Sequence, residues 1–137
     1  MALENVMRVD NGNIVGGGVQ DDTLVTYYKA DLIDETSQSS NITLNTFNLT
    51  RIKNLPIGRF QVSFKSSVSV GSSGLNLGIL KGDFFAGSRP VLLCVDDYDG
   101  SPGAAIYVNP SSYNVKVYTC EADHLYYVDA VVLLKDF

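Results

Sequence analysis

Tryptophan is absent from the 137-residue sequence, and histidine occurs once, as His124. Any Ser-His-Asp or Cys-His catalytic group would therefore have to include this one residue. His124 follows Asp123 in a polar segment with turn character, and no Gly-x-Ser-x-Gly motif surrounds any serine. In such a turn a solvated histidine is far commoner than a catalytic base. The sequence therefore predicts a binding or assembly module and not an enzyme.

Cysteine is also scarce, since the chain contains only Cys94 and Cys120. Two cysteines are too few for a disulfide scaffold, and in a protein made in a reducing cytoplasm we expect both to be free and buried. Together with His124 they lack the paired spacing, such as Cys-x-x-Cys, by which a zinc site is recognised. We therefore predict neither a metal ion nor a cofactor.

Positive charge is sparse as well. Ten lysine and arginine residues, scattered along the chain, stand against 15 aspartate and glutamate residues, for a net charge of -5. Binding to nucleic acid and docking to acidic membranes both need clustered basic residues, so neither is expected. The longest apolar run, Ala130–Leu134, is far shorter than a membrane span. The chain does not begin with a charged leader and an apolar stretch, so we expect no signal peptide and no membrane insertion.

The pattern along the chain suggests a short N-terminal arm followed by one domain. Met1–Asp10 is the one plausible helical segment, although an extended arm fits its composition equally well. Gly16–Gly18 predicts a flexible hinge, because the acidic pair Asp21–Asp22 that follows is unlike a phosphate-binding loop. We assign residues 1–20 to the arm and hinge, and residues 21–137 to the domain.

Within the domain, short β-rich segments alternate with turn signals. The clearest segment is Phe60–Val70, where apolar residues occupy alternate positions, broken only by Ser66. Thr23–Ile33 is another β-rich run. A period of two indicates strands with one buried face and one wet face. Short strands at this spacing predict an all-β fold, namely an antiparallel β-sandwich of the two-sheet jelly-roll type.

The final strand-like segment, Tyr126–Leu134, differs because both of its faces are apolar. The even-numbered residues form one face, and the other face consists of Tyr127, Asp129, Val131 and Leu133. A strand that is apolar on both faces is expected to be covered on both. Either a neighbouring loop or the N-terminal arm covers the second face, or another subunit does. The second alternative places Tyr127, Val131 and Leu133 in an oligomer interface.

The most chemically suggestive segment is Asp96–Gly100, which places three carboxylates around Tyr98. Such a loop can hold calcium, or it can grip sugar hydroxyl groups while the tyrosine ring stacks against the sugar. It does not fit the EF-hand register, because a glycine at the sixth position would put Val95 at the first, where an aspartate is required. A plain acidic loop is the alternative, since aspartate favours turns by bonding its own backbone.

Several segments resemble the terminal domains of phage tail-fibre and receptor-binding proteins. In Leu49–Phe60 (LTRIKNLPIGRF), an apolar segment leads through a glycine-aromatic step into a strand, as at the start of those β-sandwich heads. The similarity continues in Gly103–Val108, Asn114–Tyr118 and Tyr126–Ala130. The resemblance implies a virion protein, made in the host cytoplasm, that assembles as a homo-oligomer, with a trimer favoured. It also implies a tail-fibre or baseplate head that recognises a host-surface saccharide.

In such a head the loops 96–103 and 109–113 would touch the saccharide. This makes Asp97, Tyr98, Asp99 and Tyr113 the candidate ligand-binding residues. The chain departs from the family because it has no tryptophan to stack on a sugar, and because only residues 1–20 precede the domain. These departures raise an alternative, a structural virion protein such as a capsid decoration or head-fibre protein without a small ligand. Other virion proteins would then be contacted through residues 1–20.

Overall fold

A computed structural model describes residues 8–10, 13–15, 24–86 and 91–135 of the chain. These residues are almost entirely β-stranded, which confirms the predicted all-β class. The strands are β1 (Arg8–Asp10), β2 (Asn13–Val15), β3 (Leu24–Tyr27), β4 (Ile33–Asp34), β5 (Ile42–Ile52), β6 (Ile57–Ser66), β7 (Leu75–Leu80), β8 (Val91–Asp96), β9 (Pro102–Val108), β10 (Asn114–Tyr118) and β11 (Leu125–Leu133). A four-residue helix, α1, spans Lys29–Leu32. In this described part of the chain, no helix is long and apolar enough to cross a membrane.

Strands β3 to β11 form a single antiparallel sheet in the order β3-β5-β6-β11-β8-β9-β10-β7-β4. The two edge strands, β3 and β4, are joined along the chain by only Tyr28–Leu32. This short connection brings the two edges of the sheet together, so that the sheet curls around one core. The predicted two-sheet jelly roll is not confirmed, because the strands belong to one continuous curled sheet.

Strands β11 and β8 meet over only part of their length. Two residue pairs, Tyr126 with Asp96 and Tyr127 with Val95, join them. In contrast, β11 pairs with β6 along its whole length, from Leu125 to Leu133. Near its end, β11 is followed by Leu134, which forms an isolated bridge with Phe85 ahead of β8. Strand β8 itself is paired with β11 only at the start of β11. We call this connection the sheet junction.

A separate hairpin precedes the large sheet. Arg8–Asp10 pairs antiparallel with Asn13–Val15. Of the two alternatives for the N-terminal arm, the extended one describes Arg8–Asp10, and a helix does not reach these residues. The remainder of the arm and the predicted hinge at Gly16–Gly18 lie outside the described residues, so the domain boundary at residue 20 stays a prediction.

The core is built from the alternating residues of the two longest strands and their neighbours. Phe60 and Phe64 of β6 are fully enclosed, as is Phe47 of β5. The Phe60 ring meets Phe47 edge to face with centroids 4.9 Å apart, and it meets Phe85 at 5.2 Å. Aromatic pairs of this geometry contribute about 0.5–1.5 kcal/mol beyond the area that they bury. The period-two pattern therefore identified the buried face of β6 correctly.

Two local expectations were wrong. The alternation was expected to continue to Val70 as one strand, but β6 ends at Ser66 and Val68 is exposed. The buried Ser66 hydroxyl donates to the Val68 carbonyl oxygen at 2.6 Å, and its oxygen accepts the Val68 N–H at 3.2 Å, so the side chain ends the strand in a turn. The run Thr23–Ile33 was expected to be β throughout, but α1 interrupts it, and the Asp31 carboxylate accepts the Tyr28 N–H at the helix start.

The two cysteines are free and buried, as predicted. Burial raises the pKa of the Cys94 thiol to about 12 and that of the Cys120 thiol to about 11. Since the thiolate is the reactive form, both residues are packed as small apolar side chains and not as nucleophiles at neutral pH.

Candidate functional site

The candidate site lies at the sheet junction, where β8 ends and β11 begins. Asp96 is the last residue of β8, and the loop Asp97–Ser101 connects it to β9. A tight turn precedes β11 and carries both Glu121 and His124. The Asp97 N–H donates to the Leu125 carbonyl oxygen at 2.9 Å, which ties the loop to the first residue of β11. We call Asp96, Glu121 and His124 the histidine cluster.

Asp96 is the buried member of the histidine cluster, with only 5% of its surface exposed. Its Oδ1 accepts the Tyr98 N–H at 2.9 Å, in the local turn that aspartate favours. Its Oδ2 lies 2.8 Å from His124 Nδ1. Because a carboxylate only accepts hydrogen bonds, Nδ1 carries the hydrogen of this bond. Both oxygens of the buried carboxylate are therefore satisfied, one by backbone and one by the imidazole.

The electrostatics of the cluster favour a protonated histidine. The hydrogen bond to Asp96 raises the pKa of His124, and the negative charges of Asp96, Glu121 and Asp99 add to this effect against a partial loss of hydration. The hydrogen bond from His124 in turn lowers the pKa of Asp96. Glu121 Oε2 lies 3.3 Å from the same Nδ1 atom. The His124 ring is thus held between one buried and one exposed carboxylate.

Four rings stack in sequence from the core to the surface. Phe64 and Tyr126, both buried, stack with centroids 5.6 Å apart at an interplanar angle of 20°. The Tyr126 ring is followed by the imidazole of His124 at 6.5 Å and 29°, and His124 by Tyr98 at 4.9 Å and 23°. Tyr98 is 81% exposed. We call this arrangement the ring column, and it gives an exposed loop tyrosine a support that reaches into the core.

Of the four candidate ligand-binding residues, the structure brings three together. Asp97 and Asp99 flank Tyr98 on the exposed loop, and the Asp99 carboxylate accepts the backbone N–H of Ser101 at 2.9 Å and its hydroxyl at 2.6 Å. Tyr113 lies in the connection from β9 to β10, at the opposite end of β9 from the Tyr98 loop. The seven residues of β9 separate the two loops by about 20 Å. Tyr113 is therefore not part of the same site.

The three candidate interface residues do share one surface. Tyr127, Val131 and Leu133 lie on the side of β11 that faces away from the core, with 40%, 77% and 64% of their surfaces exposed. We call this side of β3, β5, β6 and β11 the outer face. Leu133 lies directly opposite Ile57 of β6, and Val131 lies opposite Arg59. Among the described residues, no loop covers these three side chains. The alternative of a covering loop therefore does not hold for this part of the chain.

The outer face combines a groove with an ion pair. The groove has a volume of about 230 Å³ and is lined by Leu24, Ile57 and Val131, together with Thr50 and Ile52. Beside it, the Arg59 guanidinium donates two hydrogen bonds to the Asp129 carboxylate, at 2.8 and 2.6 Å. The surface therefore combines apolar contact area with one pair of neutralised charges.

Sequence reasoning missed the histidine cluster. The sequence places Asp96 in an acidic loop and His124 in a polar turn, and no motif singles out Glu121. Asp96 and Glu121 are 25 residues apart in the sequence. The segments that carry them meet only because β8 pairs with β11. The signal that would have found them is positional: an acidic residue at the end of one predicted strand and a histidine at the start of another.

Comparisons with known proteins found no matching family model, no matching curated protein and no matching solved structure. The function is therefore argued from the geometry of the site.

The pKa shifts of the histidine cluster predict how stability depends on pH. His124 has a raised pKa, so its contribution to stability is complete below its unfolded value of 6.5 and is lost as the pH rises through the folded value. Asp96 has a lowered pKa, so its contribution is lost only in acid, as the pH falls through that value. We expect the free energy of unfolding, measured by urea denaturation over a neutral to mildly alkaline pH series, to fall as the pH rises above 6.5.

The matched control for this pH dependence is His124→Gln, which keeps a polar side chain but cannot be protonated. We expect its stability to be nearly flat over the same interval, because the chain contains no other histidine. A wild-type protein whose stability does not fall over this interval, or a His124→Gln variant that falls equally, would contradict the assignment of the effect to the cluster.

Proposed function

We propose that the chain is a binding module, a receptor-binding head of the phage tail-fibre type, that takes a saccharide against the ring of Tyr98. The ring column is the observation that carries this proposal. An exposed aromatic ring on a loop normally loses conformational freedom when a ligand binds, which weakens binding. Here the ring of Tyr98 is already held by His124, and His124 by the buried Asp96.

The surroundings of Tyr98 suit a sugar better than a charged or wholly apolar ligand. Aromatic rings offer a flat apolar surface for the C–H groups of a pyranose, and carboxylates accept hydrogen bonds from its hydroxyl groups. Asp97 and Asp99 lie on either side of Tyr98 and are exposed. The negative charge of this loop also disfavours anionic ligands such as phosphates and nucleic acids.

The same geometry favours binding over catalysis. Among the described residues, no serine, threonine or cysteine forms a hydrogen bond with His124, whose ring is engaged by Asp96 and packed under Tyr98. A nucleophile activated by histidine needs to lie within hydrogen-bonding distance of it. The non-enzymatic character of the chain stays a prediction, and the arrangement of His124 supports it.

A glycan array tests the saccharide proposal. We expect the wild-type protein to retain a defined set of glycans, and Tyr98→Ala to bind them roughly tenfold more weakly or not at all, because an anchoring aromatic residue contributes more than about 1.4 kcal/mol. Tyr28→Ala is the matched control, since Tyr28 is also an exposed tyrosine but lies beside the edge strand β3. An array without any bound glycan, or equal binding by Tyr98→Ala, would overturn the proposal.

A second candidate function is that of a structural virion protein, and the outer face favours it. Val131 and Leu133 are large apolar side chains with most of their surfaces exposed. Exposed apolar surface of this kind commonly marks a protein interface. In this case the outer face would join copies of the chain, with a trimer favoured, and residues 1–20 would contact other virion proteins. Association through the outer face is compatible with either function, since the outer face and the Tyr98 loop are separate surfaces. The two functions differ in whether a small ligand binds.

A further inference from the structure

We propose that Asp96, Glu121 and His124 bind one divalent transition-metal ion, of which zinc is the best match. The three side chains present one imidazole nitrogen and two carboxylate oxygens that all lie within 4.8 Å of one another. They are the only such group of three among residues 24–86 and 91–135. This proposal does not depend on the saccharide proposal, because it concerns the residues beneath Tyr98 and not the exposed face of its ring.

The geometry around Nδ1 carries the inference. His124 Nδ1 lies 2.8 Å from Asp96 Oδ2 and 3.3 Å from Glu121 Oε2. A neutral or protonated imidazole has only one hydrogen on this nitrogen, and the hydrogen bond to Asp96 uses it. The exposed Glu121 oxygen therefore lies close to Nδ1 without receiving its hydrogen. A cation placed between the three atoms would contact all of them at once.

The distances are close to those that zinc requires. Zinc binds histidine nitrogen and carboxylate oxygen at about 2.0–2.2 Å, so two ligands of a tetrahedral ion lie about 3.4 Å apart. The separation of Nδ1 and Glu121 Oε2, 3.3 Å, already fits. The separation of Nδ1 and Asp96 Oδ2, 2.8 Å, needs to widen by about half an ångström. The exposed Glu121 side chain has the freedom to complete the site.

The type of donor decides the class of metal. Calcium and magnesium prefer oxygen ligands alone, whereas imidazole suits zinc and its neighbours in the transition series. Three protein ligands leave the fourth tetrahedral position to water. The metal ion would take the place of the hydrogen on Nδ1, so this hydrogen must leave when the ion binds. The affinity for zinc should therefore rise with pH.

Further hydrogen bonds position two of the three ligand residues, as is usual in metal sites. Asp96 Oδ1 accepts the Tyr98 N–H at 2.9 Å, which leaves Oδ2 facing the cluster. The Glu121 N–H donates to the hydroxyl oxygen of the buried Tyr126 at 2.8 Å. Because Asp96 ends β8 while Glu121 and His124 precede β11, a bound ion would cross-link the two strands at the sheet junction.

This proposal departs from the expectation that the chain binds no metal. That expectation rested on the lack of paired cysteine and histidine spacing, and Cys94 and Cys120 are indeed buried as free thiols. The carboxylate of Asp96 becomes a neighbour of His124 only when β8 pairs with β11. Glu121 lies three residues before His124, and no motif marks this pair as metal ligands.

Isothermal titration of the chelator-treated full chain with zinc chloride tests the proposal. We expect one zinc ion per chain, and binding weaker by roughly tenfold or more in Glu121→Gln and in His124→Gln. Glu121→Gln is the more reliable variant, because the exposed Glu121 side chain is not needed for folding. Asp123→Asn and Glu35→Gln are the matched controls, since they remove carboxylates outside the cluster and should bind zinc as the wild type does.

A thermal-denaturation series gives a second readout. Zinc should raise the Tm of the wild type and of both control variants, but not that of Glu121→Gln, because a ligand that binds the folded state stabilises it. Calcium should raise none of them. A wild type that binds no zinc would overturn the proposal. So would control variants that lose binding as fully as Glu121→Gln, because this would indicate general attraction to an acidic surface.

Discussion

Phe60→Ala is expected to lower the free energy of unfolding by about 3–5 kcal/mol, the range for truncating a buried phenylalanine. Phe60 is almost fully buried and contacts two other rings edge to face, those of Phe47 and Phe85. Its loss would leave a cavity at the point where the sheet curls around its core. Since small domains are stable by only about 5–15 kcal/mol, this change alone removes a large share of the total. Denaturation in urea measures it.

Ile57→Ala provides the matched control on the same strand. Ile57 also belongs to β6 but lies on the outer face and is exposed. Its truncation should cost less than half as much, because an exposed side chain leaves no enclosed cavity. If the two variants were destabilised equally, Phe60 would not lie in a packed core, and the arrangement of the curled sheet would be wrong.

Val131→Glu is expected to convert the protein from an oligomer to a monomer. Val131 lies on the β11 side of the outer face and is 77% exposed in the single chain. A carboxylate buried there by a second copy would have to lose its hydration, which weakens association by roughly a hundredfold or more. Arg59 lies directly opposite Val131 on β6, so the new carboxylate has a favourable neighbour and the single chain should stay folded. Light scattering during gel filtration reports the mass.

Val68→Glu is the control for this experiment, because Val68 is an exposed valine in a connection away from the outer face. We expect the wild type and Val68→Glu to have the same mass, a multiple of the 14.9 kDa chain and three times it if the trimer forms. A wild type of 14.9 kDa would contradict self-association through the outer face. Dissociation caused equally by Val68→Glu would contradict the location of the interface.

The features that were predicted best from the sequence are those that depend on residues close together along the chain. The alternation of β6 gave its buried face because side chains of a strand point to opposite sides by turns. The two-sided apolar character of β11 likewise identified Tyr127, Val131 and Leu133 as a surface, and they do lie together and exposed. The end of β6 was missed because it depends on one hydroxyl, that of Ser66, bonding to the backbone two residues later.

Features that depend on strand pairing were harder to predict. The histidine cluster forms because β8 and β11 pair over two residues, and no short-range pattern indicates this pairing. The grouping of Tyr113 with Tyr98 failed for a simpler reason. The loops that carry them are consecutive connections in the antiparallel order β8-β9-β10, and consecutive connections lie at opposite ends of a sheet. This rule was available once three consecutive strands had been assumed.

The central claim is that a pre-positioned Tyr98 ring forms the floor of a saccharide site. The most direct test is calorimetric titration of the best glycan from the array into the wild type, Tyr98→Phe and Tyr98→Ala. We expect phenylalanine, which keeps the ring over His124, to retain most of the affinity, and alanine to lose at least about tenfold. Equal affinity in all three proteins would contradict the claim.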